Sequence, residues 1–228
     1  MSESAAPTRA DLRVVRTADA PSDSVERLSP QLTEAERARC LRFVREADRR
    51  TFAITRALVR RTLSEYGPTP PLAWRFVTNA HDCPFVAPEQ AGMPPLHFNV
   101  SHTDGLVALA VTRGHRLGVD VERVTRVVTE GVAERHFAAA EIRDLRAQPI
   151  ARQPVLFFDY WTLKEAYIKA RGMGLALPLD AFAFALRPPR PPTITFAPGF
   201  DDAPERWQFW QACPTPEHRL SLAIERDT

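Results

Sequence analysis

Long apolar runs are missing from this sequence. No uninterrupted hydrophobic stretch approaches the roughly 20 residues that span a bilayer, and the opening MSESAAPTRADLRVVR has neither an apolar signal core nor a cleavage pattern. A membrane protein or an exported one is not expected. Cysteine is equally scarce: Cys40, Cys83 and Cys213 are isolated, odd in number, and free of any CxxC or metal-ligand spacing. That excludes a disulfide framework or a thiolate metal site, and a reducing cytoplasm fits best. Excess charge is also lacking. The net charge is only +2, so nucleic acid is not implied, although arginine far outnumbers lysine and clusters early, which favours local basic surface. There is no low-complexity segment and no repeat at the level of identity. What remains is ordinary for a globular protein, 44% hydrophobic and 25% charged over 228 residues. The chain can bury a real core as one large domain or two small lobes.

Local patterns then divide the chain. Leu12 to Arg16 is a short candidate strand, and Pro21 to Pro30 is a loop. A helix begins with Thr33 as N-cap and Glu34 and Glu36 in its first turn. A longer helix covers Ala47 to Tyr66, where Ile54, Leu58, Val59, Leu63 and Tyr66 recur at helical spacing. That leaves Arg39, Arg49, Arg50, Arg56 and Arg60 for other faces or for ligands. Trp74 to Thr78 is a strand, and the segment NAHDCPFVAPEQAGMPP has too many breakers for regular structure. Two short helices follow at Glu130 to Phe137 and Ala140 to Gln148. A third runs from about Pro154 to Ala170, and the tail alternates strand-like runs with proline-rich turns.

The chemistry concentrates in two places. Phe98 to Glu122, FNVSHTDGLVALAVTRGHRLGVDVE, reads as two strands and two turns. Period-two alternation sends Asp120 and Glu122 to one face and Val119 and Val121 to the other. Two carboxylates held that close require a proton or a cation between them, and acidic oxygens suit a hard divalent ion such as magnesium. On the helix FFDYWTLKEAYIKAR, Glu165 and Lys169 stand at i and i+4 on a common face, and Gly172-Met-Gly174 ends it. Taken alone, a solvated strand edge and a surface ion pair explain these features as well.

Taken together and in order, FNVSHTDGL, GVDVE and WTLKEAYIKARGMGL resemble the 4′-phosphopantetheinyl transferase superfamily in its long form, where one chain holds two related lobes. The likeness extends to ADRRTF and HFAAAEIRDL and covers roughly Leu28 to Leu179. It implies an α+β fold of two pseudo-symmetric lobes, residues 1–116 and 117–228, each packing a long helix on a small antiparallel sheet. Coenzyme A and the metal would lie in the cleft between them.

The implied reaction transfers the phosphopantetheine arm of coenzyme A to a serine of an apo acyl or peptidyl carrier protein, in a cytoplasmic monomer. By motif position Asp120, Glu122 and Glu165 would hold magnesium, with manganese an alternative. Lys169 would contact phosphate, Glu165 would act as base, and Ser101 and His102 would hold the 3′-phosphate end. Arg39 and Arg50 are candidates for further phosphate contacts. One departure stands out: where the family shows Gly-Lys-Pro or Gly-Arg-Pro, this chain has Asp82-Cys83-Pro84. Pro84 survives while the cation is gone, and His81 or Arg75 is the expected substitute. The competing readings are another magnesium-dependent phosphotransfer enzyme and a non-catalytic module that binds carrier proteins.

Overall fold

The computed structural model describes residues 9–226. In chain order the first half contains β1 (Asp11–Arg16), α1 (Ser24–Leu28), α2 (Glu34–Leu41), α3 (Glu46–Ser64), β2 (Phe76–Thr78), β3 (Pro84–Val86), α4 (Pro88–Ala91), β4 (Leu96–Thr103) and β5 (Leu106–Arg113). The second contains β6 (Leu117–Arg123), α5 (Val132–His136), α6 (Ala139–Ala147), α7 (Gln153–Arg171), β7 (Phe182–Arg187), β8 (Arg190–Phe196), β9 (Trp207–Ala212) and β10 (His218–Glu225). Two expected loops prove partly regular. Pro21 to Pro30 includes α1, because Ser24 opens a turn by bonding the Pro21 carbonyl. The breaker-rich segment after Asn79 includes β3, held as a hairpin partner of β2, and α4, which starts on Pro88.

Each half repeats one plan. A strand, a 19-residue helix, a two-stranded hairpin and two further strands follow one another. The resulting antiparallel sheets have the matching orders β1-β5-β4 and β6-β10-β9. Alternation decides the layering. On β5, Leu109 and Val111 face Val59 and Leu63 of α3, while Leu106, Ala108 and Ala110 face the other sheet. There they meet Leu117, Val119 and Val121 of β6 and Leu220, Leu222 and Ile224 of β10. The outer face of the second sheet packs Phe209 and Ala223 against Leu163, Ala166 and Tyr167 of α7. The layers therefore run helix, sheet, sheet, helix.

The helical arginines are mostly structural. Thr33 and Glu36 form a reciprocal capping box at the start of α2, with 3.3 and 2.9 Å bonds. Buried Arg60 then donates to Glu36 Oε2 at 2.9 Å and to the carbonyls of Pro71 and Trp74 at 2.9 Å, while Arg56 reaches Glu36 Oε1 at 2.5 Å. Burial alone would raise the Glu36 pKa, but Arg60, the Thr33 amide and Arg56 hold it at about 2.

One contact positions the functional residues. Gly118 of β6 faces α7, and a Cβ placed there would stand 2.1 Å from the Ala166 carbonyl oxygen, 2.5 Å from the Ala170 nitrogen and 2.9 Å from Lys169 Cβ. Only a bare Cα admits the helix backbone this close. Asp120 and Glu122 share that face of β6, so the approach carries them to α7 as well. Gly118→Ala is expected to cost about 3 kcal/mol or more by forcing helix and strand apart. Gly67→Ala, whose Cβ meets nothing within 4 Å, is the matched control. Urea unfolding of both variants measures this, and equal stability would refute the constraint.

Candidate active site

The site is built on the seam between β4 and β6. These strands come from different sheets, and side chains of β4 satisfy the β6 amides that no ladder reaches. Val119 N–H donates to Asn99 Oδ1 at 2.9 Å and Val121 N–H to Ser101 Oγ at 3.4 Å. The Ser101 hydroxyl donates in turn to Asp120 Oδ1 at 2.8 Å. From α7, Lys169 Nζ donates to the same oxygen at 2.6 Å, to Ser101 Oγ at 3.1 Å and to the Val119 carbonyl at 3.3 Å. All three ammonium protons are thus used within the protein. Ser101, expected beside a phosphate, is mostly buried and its hydroxyl is engaged within this seam.

Around that seam lies a cavity of about 380 Å³ lined by Ser101, His102, Asp120, Glu122, Arg126, Trp161, Glu165 and Lys169. Asp120 is 4% exposed, and its Oδ2 is buried without a hydrogen-bond partner. Glu122 pairs with Arg126 at 3.1 Å and accepts from Thr103 Oγ1 at 3.4 Å. Burial and the Asp120 charge raise its pKa against the pull of Arg126 and Lys169. Glu165 is more strongly affected: burial first, then Asp120 and Glu122, push it up to about 7 despite Lys169. Three carboxylates against Lys169 and Arg126 leave the site one positive charge short. Among the described residues no three His, Cys, Asp or Glu side chains converge at metal-ligand spacing. The unpartnered Asp120 oxygen and the mutual repulsion nevertheless make these hard oxygen donors fit a divalent cation.

A second cavity of about 690 Å³ adjoins the first through His102. Arg39, Arg45, Phe43, Phe52, Thr51 and Thr55 line it together with the carboxylates Asp48 and Asp104, and the Arg39 guanidinium lies 5.5 Å from the Phe52 ring centre. His102 keeps a solvent-exposed edge at the junction, yet crowding by protein strips enough water to lower its pKa, and Lys169 adds to the effect. Of the two arginines singled out in the sequence, Arg39 lines this cavity. Arg50 does not: it bonds the Ala20 carbonyl at 3.3 Å and Glu46 at 3.4 Å, outside the lining of this cavity. Arg45 takes part in its stead, and no helical period singles it out because it precedes α3 as the N-cap residue.

Pro84 and Cys83 line a third cavity of about 460 Å³ together with Asn79, His97, Lys169 and Gly172. Asn79 Nδ2 donates to the Gly172 carbonyl at 2.6 Å, tying this loop to the end of α7. Asp82 has φ 57°, the left-handed conformation in which glycine is ordinary and aspartate tolerated. Burial raises the Cys83 thiol pKa against the opposing pull of Lys169. Arg75, one expected replacement for the missing cation, is instead paired with Glu89.

The family model described as the 4′-phosphopantetheinyl transferase superfamily matches residues 116–223, and that described as 4′-phosphopantetheinyl transferase, N-terminal, matches residues 20–114. The 4′-phosphopantetheinyl transferase HetI of Nostoc sp. (strain PCC 7120) is 32% identical over 207 residues, 90% of this chain and 84% of that relative. The chain belongs to the 4′-phosphopantetheinyl transferase superfamily. Sfp of Bacillus subtilis (strain 168) is 32% identical over 161 residues, covering 71% of this chain and 69% of Sfp. Psf-1 of Bacillus pumilus is 33% identical over 162 residues, 71% and 67% of the two chains.

In this phosphopantetheinyl transferase a buried ion pair braces α7 one residue before Glu165. Lys164 and Glu141 are both fully buried and 2.8 Å apart. Lys164 also donates to the carbonyls of Leu179 and Phe182 at 2.7 and 2.8 Å, and Glu141 accepts from the amides of Ala138 and Phe184 at 2.8 Å. Burial lowers the Lys164 pKa and raises that of Glu141, but every donor and acceptor is engaged. Nothing in the helical period marks Lys164 as buried.

The carboxylate crowding has a measurable sign. Glu165 titrates near 7 when folded against 4.5 as its ordinary value, so stability falls as pH rises from about 4.5 to 7 and then levels. Glu165→Gln is expected to be more stable than the parent at pH 8 by on the order of 1 kcal/mol without divalent cation, and equal to it near pH 4.5. Thermal melts at both pH values measure the difference. A destabilised variant at pH 8 would contradict the crowding.

Proposed function

We propose that this transferase moves the 4′-phosphopantetheine arm of coenzyme A onto the serine hydroxyl of an apo acyl or peptidyl carrier protein. The serine oxygen attacks the β-phosphorus, the phosphoanhydride bond breaks, and the electron pair leaves with 3′,5′-adenosine bisphosphate. The observation that carries the reading is the junction at His102, where a cavity bearing Arg39 and Arg45 opens onto the carboxylate cluster. A nucleotide with two phosphate-bearing ends can set one end against the guanidinium groups and the other beside carboxylates able to hold a cation.

Arg39, Arg45 and His102 receive the 3′-phosphate end, and the rings of Phe43 and Phe52 supply apolar surface beside it. Asp120, Glu122 and Glu165 would hold magnesium or manganese, which neutralises charge developing on the pyrophosphate. Lys169 anchors Asp120 and presents the same positive charge to the adjoining third cavity. Glu165, which lines the cavity from α7, accepts the serine proton directly or through water. Trp161, stacked on Phe157 with centroids 5.7 Å apart, walls the site on the side of α7. No helix among the described residues is long and apolar enough to cross a membrane. The reading places the enzyme in the cytoplasm as a monomer.

Incubation with coenzyme A, magnesium and a panel of apo carriers is expected to add the mass of the arm to at least one carrier. Asp120→Asn, which keeps shape but removes charge, should slow this by about 10² or more with the near-ultraviolet circular dichroism unchanged. Transfer at the parental rate would sink the carboxylate assignment. His102→Ala should weaken coenzyme A binding by about tenfold and leave dephospho-coenzyme A nearly unaffected. Calorimetric titration of both nucleotides decides this, and equal losses would remove His102 from the 3′-phosphate.

A further inference from the structure

The loop between β2 and β3 is organised by one side chain. Asn79 Oδ1 accepts the amides of His81 and Cys83 at 2.8 and 3.1 Å, and the Asn79 N–H donates to the Cys83 carbonyl at 3.1 Å. The oxygen thus folds the loop, as asparagine does in tight turns. The nitrogen serves the other half of the molecule. Asn79 Nδ2 donates at 2.6 Å to the carbonyl of Gly172, 93 positions away in the chain. Gly172 is the left-handed residue, φ 65°, that ends α7, and its own N–H reaches back to the carbonyls of Ile168 and Lys169. A Cβ at position 172 would stand 3.2 Å from Asn79 Nδ2, so the two groups meet with little room to spare.

We infer that Asn79 is a positioning residue for coenzyme A, holding the loop that carries Cys83 and Pro84 at a fixed distance from the turn of α7 that carries Lys169. Asn79, Cys83, Pro84, Lys169 and Gly172 line one cavity, so the hydrogen bond ties together two of its walls. The chemistry selects the residue: the loop amides require an acceptor, the Gly172 carbonyl requires a donor, and a side-chain amide offers both where a carboxylate offers only the first. Walls set before the nucleotide arrives need not be ordered as it binds, and affinity gains by that difference. Asn79 lines neither the carboxylate cavity nor the one bearing Arg39. Its effect therefore falls on binding and not on the chemical step. The inference rests on coenzyme A occupying the cleft between the halves.

Two substitutions separate the oxygen from the nitrogen. Asn79→Asp keeps an acceptor for the loop amides and cannot donate to Gly172, while Asn79→Ser keeps a shorter acceptor, adds no charge and cannot span the gap. Calorimetric titration of coenzyme A into the full chain should show both variants weakened about fivefold, with kcat for carrier modification within about twofold of the parent at saturating coenzyme A. Labelling with iodoacetamide, read by peptide mass spectrometry, gives a measure that needs no nucleotide. Half-buried Cys83 should react about fivefold faster in both variants, while buried Cys40 stays as protected as in the parent. Parental affinity in both variants, a loss confined to the charged Asn79→Asp, or equal acceleration at Cys40 would each overturn the assignment. A parent that binds coenzyme A but modifies no carrier would remove the transfer reading and leave the Asn79 assignment decided by the affinities, whereas a parent that binds no coenzyme A would overturn both.

Discussion

The functional half of this protein depends on a helix and a strand lying closer than side chains normally permit. Gly118 provides the gap, and through it the backbone of α7 at Ala166 and Ala170 comes into direct contact with β6. Two consequences follow from strand and helix periodicity. Asp120 and Glu122 extend along the same face of β6 as Gly118, and Glu165 and Lys169 bracket Ala166 on α7. The contact therefore converges four charged groups without any of them having to supply the adhesion. That comes from the apolar cluster of Leu163, Tyr167, Phe182, Trp207 and Phe209 behind the helix.

Electrostatically the site is held in tension. Lys169 spends its ammonium on one Asp120 oxygen and leaves the other buried and unpartnered. Glu122 has Arg126, whereas Glu165 has only the distant pull of Lys169 and Arg126 against two like charges. Such an arrangement is costly in isolation and is relieved by a proton or a cation. The rigidity that sustains it lies one residue away, in the fully satisfied Lys164–Glu141 pair. The same helix thus carries one lysine that is locked into the fold and one that serves the site.

Arginine does most of the remaining ionic work, in two separate capacities. Arg56 and Arg60 converge on Glu36 and weld α2 to α3, a buried network with its hydrogen bonds filled. Arg39 and Arg45 instead border open space beside His102. The loop at Asp82 works through its backbone instead: the left-handed conformation there turns the chain so that Cys83 and Pro84 reach the third cavity.

Much of this was legible in the sequence because it is local. The Thr33 N-cap, the period of α3, the turn at Gly114 and the shared face of Asp120 and Glu122 follow from spacing, and the ordered motif blocks identified the family. Tertiary structure alone decided the rest. Arg39, Arg50 and Arg60 are chemically identical on paper, and their roles differ according to whether Glu36, a carbonyl or a cavity lies opposite. Ser101 reads as a ligand contact until β6 is seen to need its oxygen for the Val121 amide. The need for glycine at position 118 appears only once α7 is seen against it. Periodicity reports which side chains share a face; only the packed structure reports what that face meets, because partners far apart in sequence are brought together by burial rather than by spacing.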